Sequence, residues 1–179
     1  MLCRVIESSA SSRVKKAMMR IAIFGNSGSG KSTMACELAE RHQISRLELD
    51  TVVWEPGKIA VLRPRDEINA DVEQFLASSE RWVVEGCYGE LVELALPQCT
   101  EAIFLNPGLR ACVANNRRRP WEPHKYASCE AQDAMLAQLL EWVADYYTRD
   151  DQWSYFYHRR VFDSFAGKKT EVTKPGDPH

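Results

Sequence analysis

The stretch that most constrains this chain is "RIAIFGNSGSGKSTMACELAERH", Arg20 to His42. Arg20 to Phe24 is short, apolar and partly β-branched, the pattern of a strand buried on both faces. From Ser32 to His42, Met34, Ala35 and Leu38 recur at helical spacing between charged residues. The glycine-rich link between them, "GNSGSGKS", fits G-x-x-x-x-G-K-[ST] in full, with Gly25, Gly30, Lys31 and Ser32 at the fixed positions. Glycines let the backbone curl until successive N–H groups form an anion nest. The helix that begins there adds its positive dipole end. Residues Gly25, Asn26, Ser27, Gly28, Ser29, Gly30, Lys31, Ser32 and Thr33 are therefore expected to hold a nucleoside triphosphate. Lys31 is expected on the β- and γ-phosphates and Ser32 on Mg²⁺.

The rest of the chain repeats the alternation. "ISRLELD" (44–50), "RWVVEG" (the strand Trp82 to Glu85, closed by Gly86) and "EAIFLNP" (stopped by Pro107) read as strands, with "KTEVTK" (169–174) as a weaker fifth. Helical faces fall in "RDEINADVEQFLAS" (Ile68, Val72, Phe75, Leu76), "YGELVELAL", the start of "GLRACVANN" and "QWSYFYHRRVFDSFAG". The longest amphipathic segment, "CEAQDAMLAQLLEWVADYYTRD", carries Met135, Leu136, Leu139, Leu140 and Val143 as its expected core stripe. Strands alternating with helices imply an open, mostly parallel sheet covered on both faces.

In such a sheet, ligands sit beyond the carboxyl ends of the strands. Asp50 at the end of strand two and Glu85 at the end of strand three are thus the candidate acids, for Mg²⁺ through water or for the proton of an acceptor hydroxyl. Arg65, after the Pro-Gly turn, is the candidate cation of an acceptor pocket shared with Asp50 and Glu85, and Arg63 stands beside it in sequence. The run "NNRRR" supplies Arg117, Arg118 and Arg119. Three consecutive helical residues span about 200° of arc, so one or two of them can face a ligand. Arg117 and Arg118 are the candidates for a guanidinium clamp on the transferring phosphoryl group.

Composition limits the partners. The 179 residues carry 45% hydrophobic and 27% charged residues and a formal net charge of −2. From Glu48 to Glu101 twelve acids face four bases, whereas Arg110 to Lys125 holds five bases and one acid. The basic stretch follows the fourth strand, where folding can lay it over the phosphate loop. Net charge and the lack of a reading helix argue against direct duplex DNA binding. The six cysteines form no C-x-x-C pair, which suits reduced thiols and a cytoplasmic location. No apolar run approaches membrane-spanning length, so no membrane role is expected. An oligomer is compatible with these residues.

Taken together, the phosphate loop of Gly25 to Thr33, "LDTVVWEPG", "RWVVEGCY" and "FLNPGLRACVANNRRR" resemble the small P-loop kinases of the adenylate kinase and shikimate kinase kind. Within these the chain is most similar to the bacterial adenylate-kinase-like proteins labelled "DNA topology modulation protein". The resemblance runs from Arg20 to about Val172. Glu85 stands where that family prefers Asp, Cys87 where it prefers Asn, and Asn106 where it prefers Asp. The family's helix after the fifth strand has no counterpart before His179. The resemblance implies an α/β, three-layer P-loop NTPase fold: a five-stranded parallel sheet, helices on both faces and an arginine-bearing lid. It also implies ATP with Mg²⁺.

The domain expectation is one unit over residues 19–174 with the lid at about 110–130, an extension at 1–18 and a tail at 175–179. The functional expectation is transfer of the γ-phosphoryl group from ATP to a small hydroxylated metabolite, nucleoside or nucleotide. The alternative is a nucleotide-dependent regulatory ATPase or switch acting on a macromolecular partner.

Overall fold

The structure is a computed structural model, and it describes residues 17–55, 61–122 and 126–174. The expected extension and tail lie outside these residues, apart from Ala17 and Met18.

Five strands form one parallel sheet: β1 (Arg20–Gly25), β2 (Ser45–Glu48), β3 (Trp82–Gly86), β4 (Glu101–Leu105) and β5 (Lys168–Val172), in the order β2-β3-β1-β4-β5. The alternation of side chains along a strand divides the core in two. Ile21 and Ile23 join Val83, Ile103 and Leu105 on one face, under Met34 and Ala35 of α1 (Lys31–His42). Ala22 and Phe24 join Trp82, Val84 and Phe104 on the other. That second face is covered by α3 (Arg65–Ser78), α4 (Gly89–Ala95) and α7 (Tyr155–Ser164). The sheet is therefore sandwiched between helices, as expected.

Three expectations shift at the element ends. β2 stops at Glu48, and Leu49, fully buried, turns the chain into the short α2 (Asp50–Val53). Asp50 thus opens a helix beyond the sheet edge instead of closing a strand. The last helix ends at Ser164, before the expected Gly167 stop, and begins where the Ser154 hydroxyl accepts from the Tyr157 N–H at 3.0 Å.

The stripe of α6 (Cys129–Ala144) needs the largest correction. Only Val143 is buried, while Met135, Leu136, Leu139 and Leu140 are half-buried. α6 does not lie on the sheet. It packs on α5 (Leu109–Arg117), so its apolar face meets one helix and not a two-sided core.

No helix among the described residues is long and apolar enough to cross a membrane. The described cysteines, Cys36, Cys87, Cys99, Cys112 and Cys129, are free thiols.

Candidate active site

The site is built where β1, β2 and β3 end level with one another. Ile23 pairs with Glu85 across β1 and β3, and Glu48 pairs with Glu85 across β2 and β3. The glycine loop follows β1 directly. Gly28 has φ +74 and Gly30 φ +101, both in the region that side chains disfavour. The loop turns back on itself with the Ser29 N–H donating to the Asn26 carbonyl at 3.2 Å. Lys31 is 8% exposed, and its ammonium donates to the same carbonyl at 2.8 Å. A buried ammonium reaching back across a curled loop is placed for an anion in the curl.

α5 is clamped onto this loop. Asn115 Nδ2 donates to the Gly28 carbonyl at 2.8 Å, and the Ser27 hydroxyl donates to Asn116 Oδ1 at 3.1 Å. A Cβ on Gly28 would collide with Asn116 and the Cys112 carbonyl, so the close approach itself requires glycine. Asn26, 2% exposed, donates through Nδ2 to the Val143 carbonyl at 3.0 Å, tying the loop to the end of α6 as well.

A cleft of about 60 Å³ opens between these parts. Ser27, Lys31 and Ser32 line its loop side. Glu48, Asp50, Glu85, Gly86 and Cys87 line the strand-end side, and Arg119 and Glu122 close it. Of the expected site residues, Lys31, Ser32, Asp50 and Glu85 therefore converge. Arg65 does not line the cleft. It is 70% exposed and pairs with Glu90 at 2.8 Å.

The arginine run is rotated by one step from the expectation. Arg117 and Arg118 are exposed, outside the lining of the cleft, and Arg118 Nη2 donates to Asn115. Arg119 points in, with Nη2 3.4 Å from the Ser27 hydroxyl and Nη1 3.3 Å from Glu122.

Glu85 is 2% exposed, and its Oε1 has no hydrogen-bond donor. Burial pushes its carboxyl above the usual range, against the pull of the Lys31 charge and the Ser32 hydroxyl. Asp50 accepts from the Tyr88 hydroxyl at 2.5 Å. Tyr88 is itself 3% exposed and packs edge-on against Trp54 and Trp153. Its hydroxyl therefore holds Asp50 in one orientation at the cleft edge.

A second layer steadies the floor. His158 is fully buried, with Nε2 3.0 Å from the Cys87 carbonyl and Nδ1 2.8 Å from the Tyr146 hydroxyl. A carbonyl only accepts, so Nε2 carries the proton and Nδ1 accepts from Tyr146. Burial pulls the His158 pKa down to about 3. It pushes the Cys87 thiol up to about 12, which leaves that thiol protonated and unreactive at neutral pH.

Sequence reasoning passed over Tyr88, Asn115, Asn116 and His158. The asparagine pair stands in the "NNRRR" run, where the adjacent charges are the stronger signal. Tyr88 closes the "RWVVEGCY" stretch, which showed the tyrosine but not its bond to Asp50, and His158 gave no signal beyond its residue type.

The donor set suits a magnesium ion that keeps most of its water. Ser32 offers a hydroxyl, and Glu85 offers a buried carboxylate oxygen with no donor. Among the described residues no group of three or more His, Cys, Asp or Glu side chains forms a metal cage. Mg²⁺ is commonly held in this way, by one or two protein oxygens together with substrate phosphates.

Comparison with solved structures gives the fold its class. The gluconokinase from Sinorhizobium meliloti 1021 superposes with a TM-score of 0.54 at 20% identity, over 90% of this chain and 85% of that one. Shikimate kinases from Acinetobacter baumannii and Aquifex aeolicus superpose with TM-scores of 0.47 and 0.48, at 18% and 16% identity. Each covers 89% of this chain, and 86% and 89% of its own. No protein-family model matches the sequence, and no curated protein matches it. The chain has the P-loop kinase fold, with a five-stranded parallel sheet and helices on both faces.

Proposed function

We propose that this chain is an ATP-dependent phosphotransferase that moves a γ-phosphoryl group to a small hydroxylated metabolite, nucleoside or nucleotide. One observation carries the reading. Lys31 and Ser32 of the phosphate loop face Asp50 and Glu85 across a single cleft that Arg119 enters from the other side. A donor-binding loop, two carboxylates and a guanidinium around one small space are the parts an in-line phosphoryl transfer uses.

In this reading the loop N–H groups and Lys31 hold the β- and γ-phosphates. Ser32 and Glu85 would hold Mg²⁺, which would neutralise the phosphate oxygens. Arg119 takes the clamp role expected of Arg117 and Arg118, and those two lie on the outer side of the lid. Asp50, oriented by Tyr88, receives the proton of the acceptor hydroxyl. The acceptor oxygen forms a bond to the γ-phosphorus while the bond to the β,γ-bridging oxygen breaks, and ADP departs with that electron pair.

The cleft of about 60 Å³ is far below the roughly 300–1,000 Å³ of a ligand-sized site. Entry of a nucleotide thus requires the Arg119–Glu122 segment to move off Ser27, and closure afterwards excludes water. The lid over residues 110–130, the cytoplasmic location and the closer tie to the adenylate-kinase-like "DNA topology modulation protein" kind belong to the same proposal. That tie rests on "LDTVVWEPG" and "RWVVEGCY". The test is incubation with ATP, Mg²⁺ and pooled hydroxylated acceptors. The reading requires ADP release coupled to a phosphoester product. ADP release that depends only on a protein partner would favour the switch.

A further inference from the structure

We propose that Gln132 is a positioning residue for the proposed phosphoryl transfer: from α6 it fixes the direction in which Arg119 enters the cleft. The inference rests on the kinase reading above. It adds to that reading a side chain that does not itself line the cleft.

Arg119 stands where the backbone loses its helical support. α5 ends at Arg117, and the Arg118 and Arg119 N–H groups still donate back to the Asn115 and Asn116 carbonyls at 3.2 and 3.3 Å. Pro120 follows, and with no N–H it cannot extend that ladder. The side-chain bonds of Arg119 are long, 3.4 Å to the Ser27 hydroxyl and 3.3 Å to Glu122, so they hold the guanidinium only loosely. Its direction depends on what holds the chain just beyond it.

Gln132 supplies that support. Its Oε1 accepts from the Glu122 N–H at 2.8 Å, and its Nε2 donates to the Pro120 carbonyl at 3.2 Å. Both partners are backbone groups of fixed polarity, so only one orientation of the amide satisfies them. One side chain thus grips the residues directly after Arg119, while α5 holds Arg119 from the other side. The platform beneath the amide is firm. Gln132 lies in the first turn of α6, where the Ser128 hydroxyl accepts from the Ala131 N–H and the Ser128 carbonyl from the Gln132 N–H, both at 3.2 Å. The gripped segment also closes on itself. The Tyr126 N–H donates to the Glu122 carbonyl at 3.0 Å, and the Trp121 indole N–H donates to the Tyr126 carbonyl at 3.1 Å.

A guanidinium stabilises a transferring phosphoryl group only if it is aimed before the charge develops. A misplacement of about 1 Å can cost on the order of 10² in rate. Both Gln132 bonds join the segment to α6 and neither reaches the phosphate loop, so they need not break when Arg119 leaves Ser27. The aim of Arg119 is then kept between one opening and the next.

The experiment compares wild type, Gln132→Met, Arg119→Ala and the double variant, each with ATP, Mg²⁺ and pooled hydroxylated acceptors. Met135, Leu136 and Leu139 line the same small space as Gln132, so methionine there keeps the volume and removes only the two bonds. Phosphoester formation gives kcat, and a titration gives MgATP affinity. Gln132→Met should lower kcat by about tenfold or more and leave MgATP affinity within about threefold, because Lys31 and the loop amides still hold the phosphates. In the Arg119→Ala background the same change should alter kcat by less than about twofold, since the side chain it aims is gone. A wild-type kcat in Gln132→Met, an equal loss in both backgrounds, or loss of MgATP binding in Gln132→Met would overturn the inference and leave the kinase reading standing. A wild-type protein that binds MgATP and phosphorylates no acceptor would remove the kinase reading and the inference with it.

Discussion

At the scale of single residues the account turns on Gly28, Lys31 and Glu85. Gly28 combines φ +74 with a wall formed by Asn116 and the Cys112 carbonyl. Gly28→Ala is expected to cost about 1–3 kcal/mol of unfolding free energy, read by denaturant titration, because strain and collision add. Lys31→Ala removes the buried ammonium beside the loop. The expected result is a fall of roughly 10²–10³ in kcat/KM, the scale of losing one preorganised electrostatic partner, with the thermal midpoint little changed. Glu85→Gln separates function from stability in the other direction. It relieves a buried carboxylate with a donorless oxygen, so the thermal midpoint should hold or rise. The magnesium concentration needed for half-maximal activity should increase. A lower midpoint with unchanged magnesium dependence would make Glu85 a structural residue.

Among the elements, α5 decides how the site closes. It reaches the phosphate loop through two asparagines. Asn116 accepts from Ser27 and donates to the Cys112 carbonyl at 2.9 Å. Asn116→Leu keeps the volume and removes both bonds, so a loss of about 1–3 kcal/mol in stability is expected, with weaker nucleotide binding in a titration. This contact was not legible in the sequence, because polar side chains that lock two loops together leave no periodic trace. β1, β3 and β4 were legible, since strands buried on both faces are continuous apolar runs. So was the phosphate loop, whose glycines answer to backbone geometry. The arginine run was legible in kind but not in phase. α5 ends at Arg117, and each residue beyond shifts the direction by a large fraction of a turn, so Arg119 and not its neighbours enters the cleft. Asp50 was read as the acid that closes strand two, whereas β2 ends two residues sooner and Asp50 opens α2. The α6 stripe looked like core because periodicity reports an apolar face and not what covers it.

For the whole molecule, His158 links the end of β3 to Tyr146, which follows α6, and it does so as a neutral ring. Its folded pKa of about 3 lies below the 6.5 of the free side chain. As pH falls below 6.5 the unfolded chain takes up a proton that the folded one refuses. The stabilising contribution is therefore present above pH 6.5 and is lost as pH falls toward 3. In His158→Gln this dependence is gone. The stability gap between wild type and variant should shrink by about 2 kcal/mol between pH 7.5 and 5, measured by urea titration at each pH. A gap independent of pH would mean that the ring is not held neutral.

The central claim, that the cleft passes a phosphoryl group from nucleotide to a small hydroxylated acceptor, is tested most directly by phosphorus NMR of the protein with ATP, Mg²⁺ and an acceptor pool. The account predicts a new phosphoester resonance growing in step with ADP, absent with Lys31→Ala. Growth of inorganic phosphate alone in step with ADP, or a phosphoester signal that survives Lys31→Ala undiminished, would contradict it.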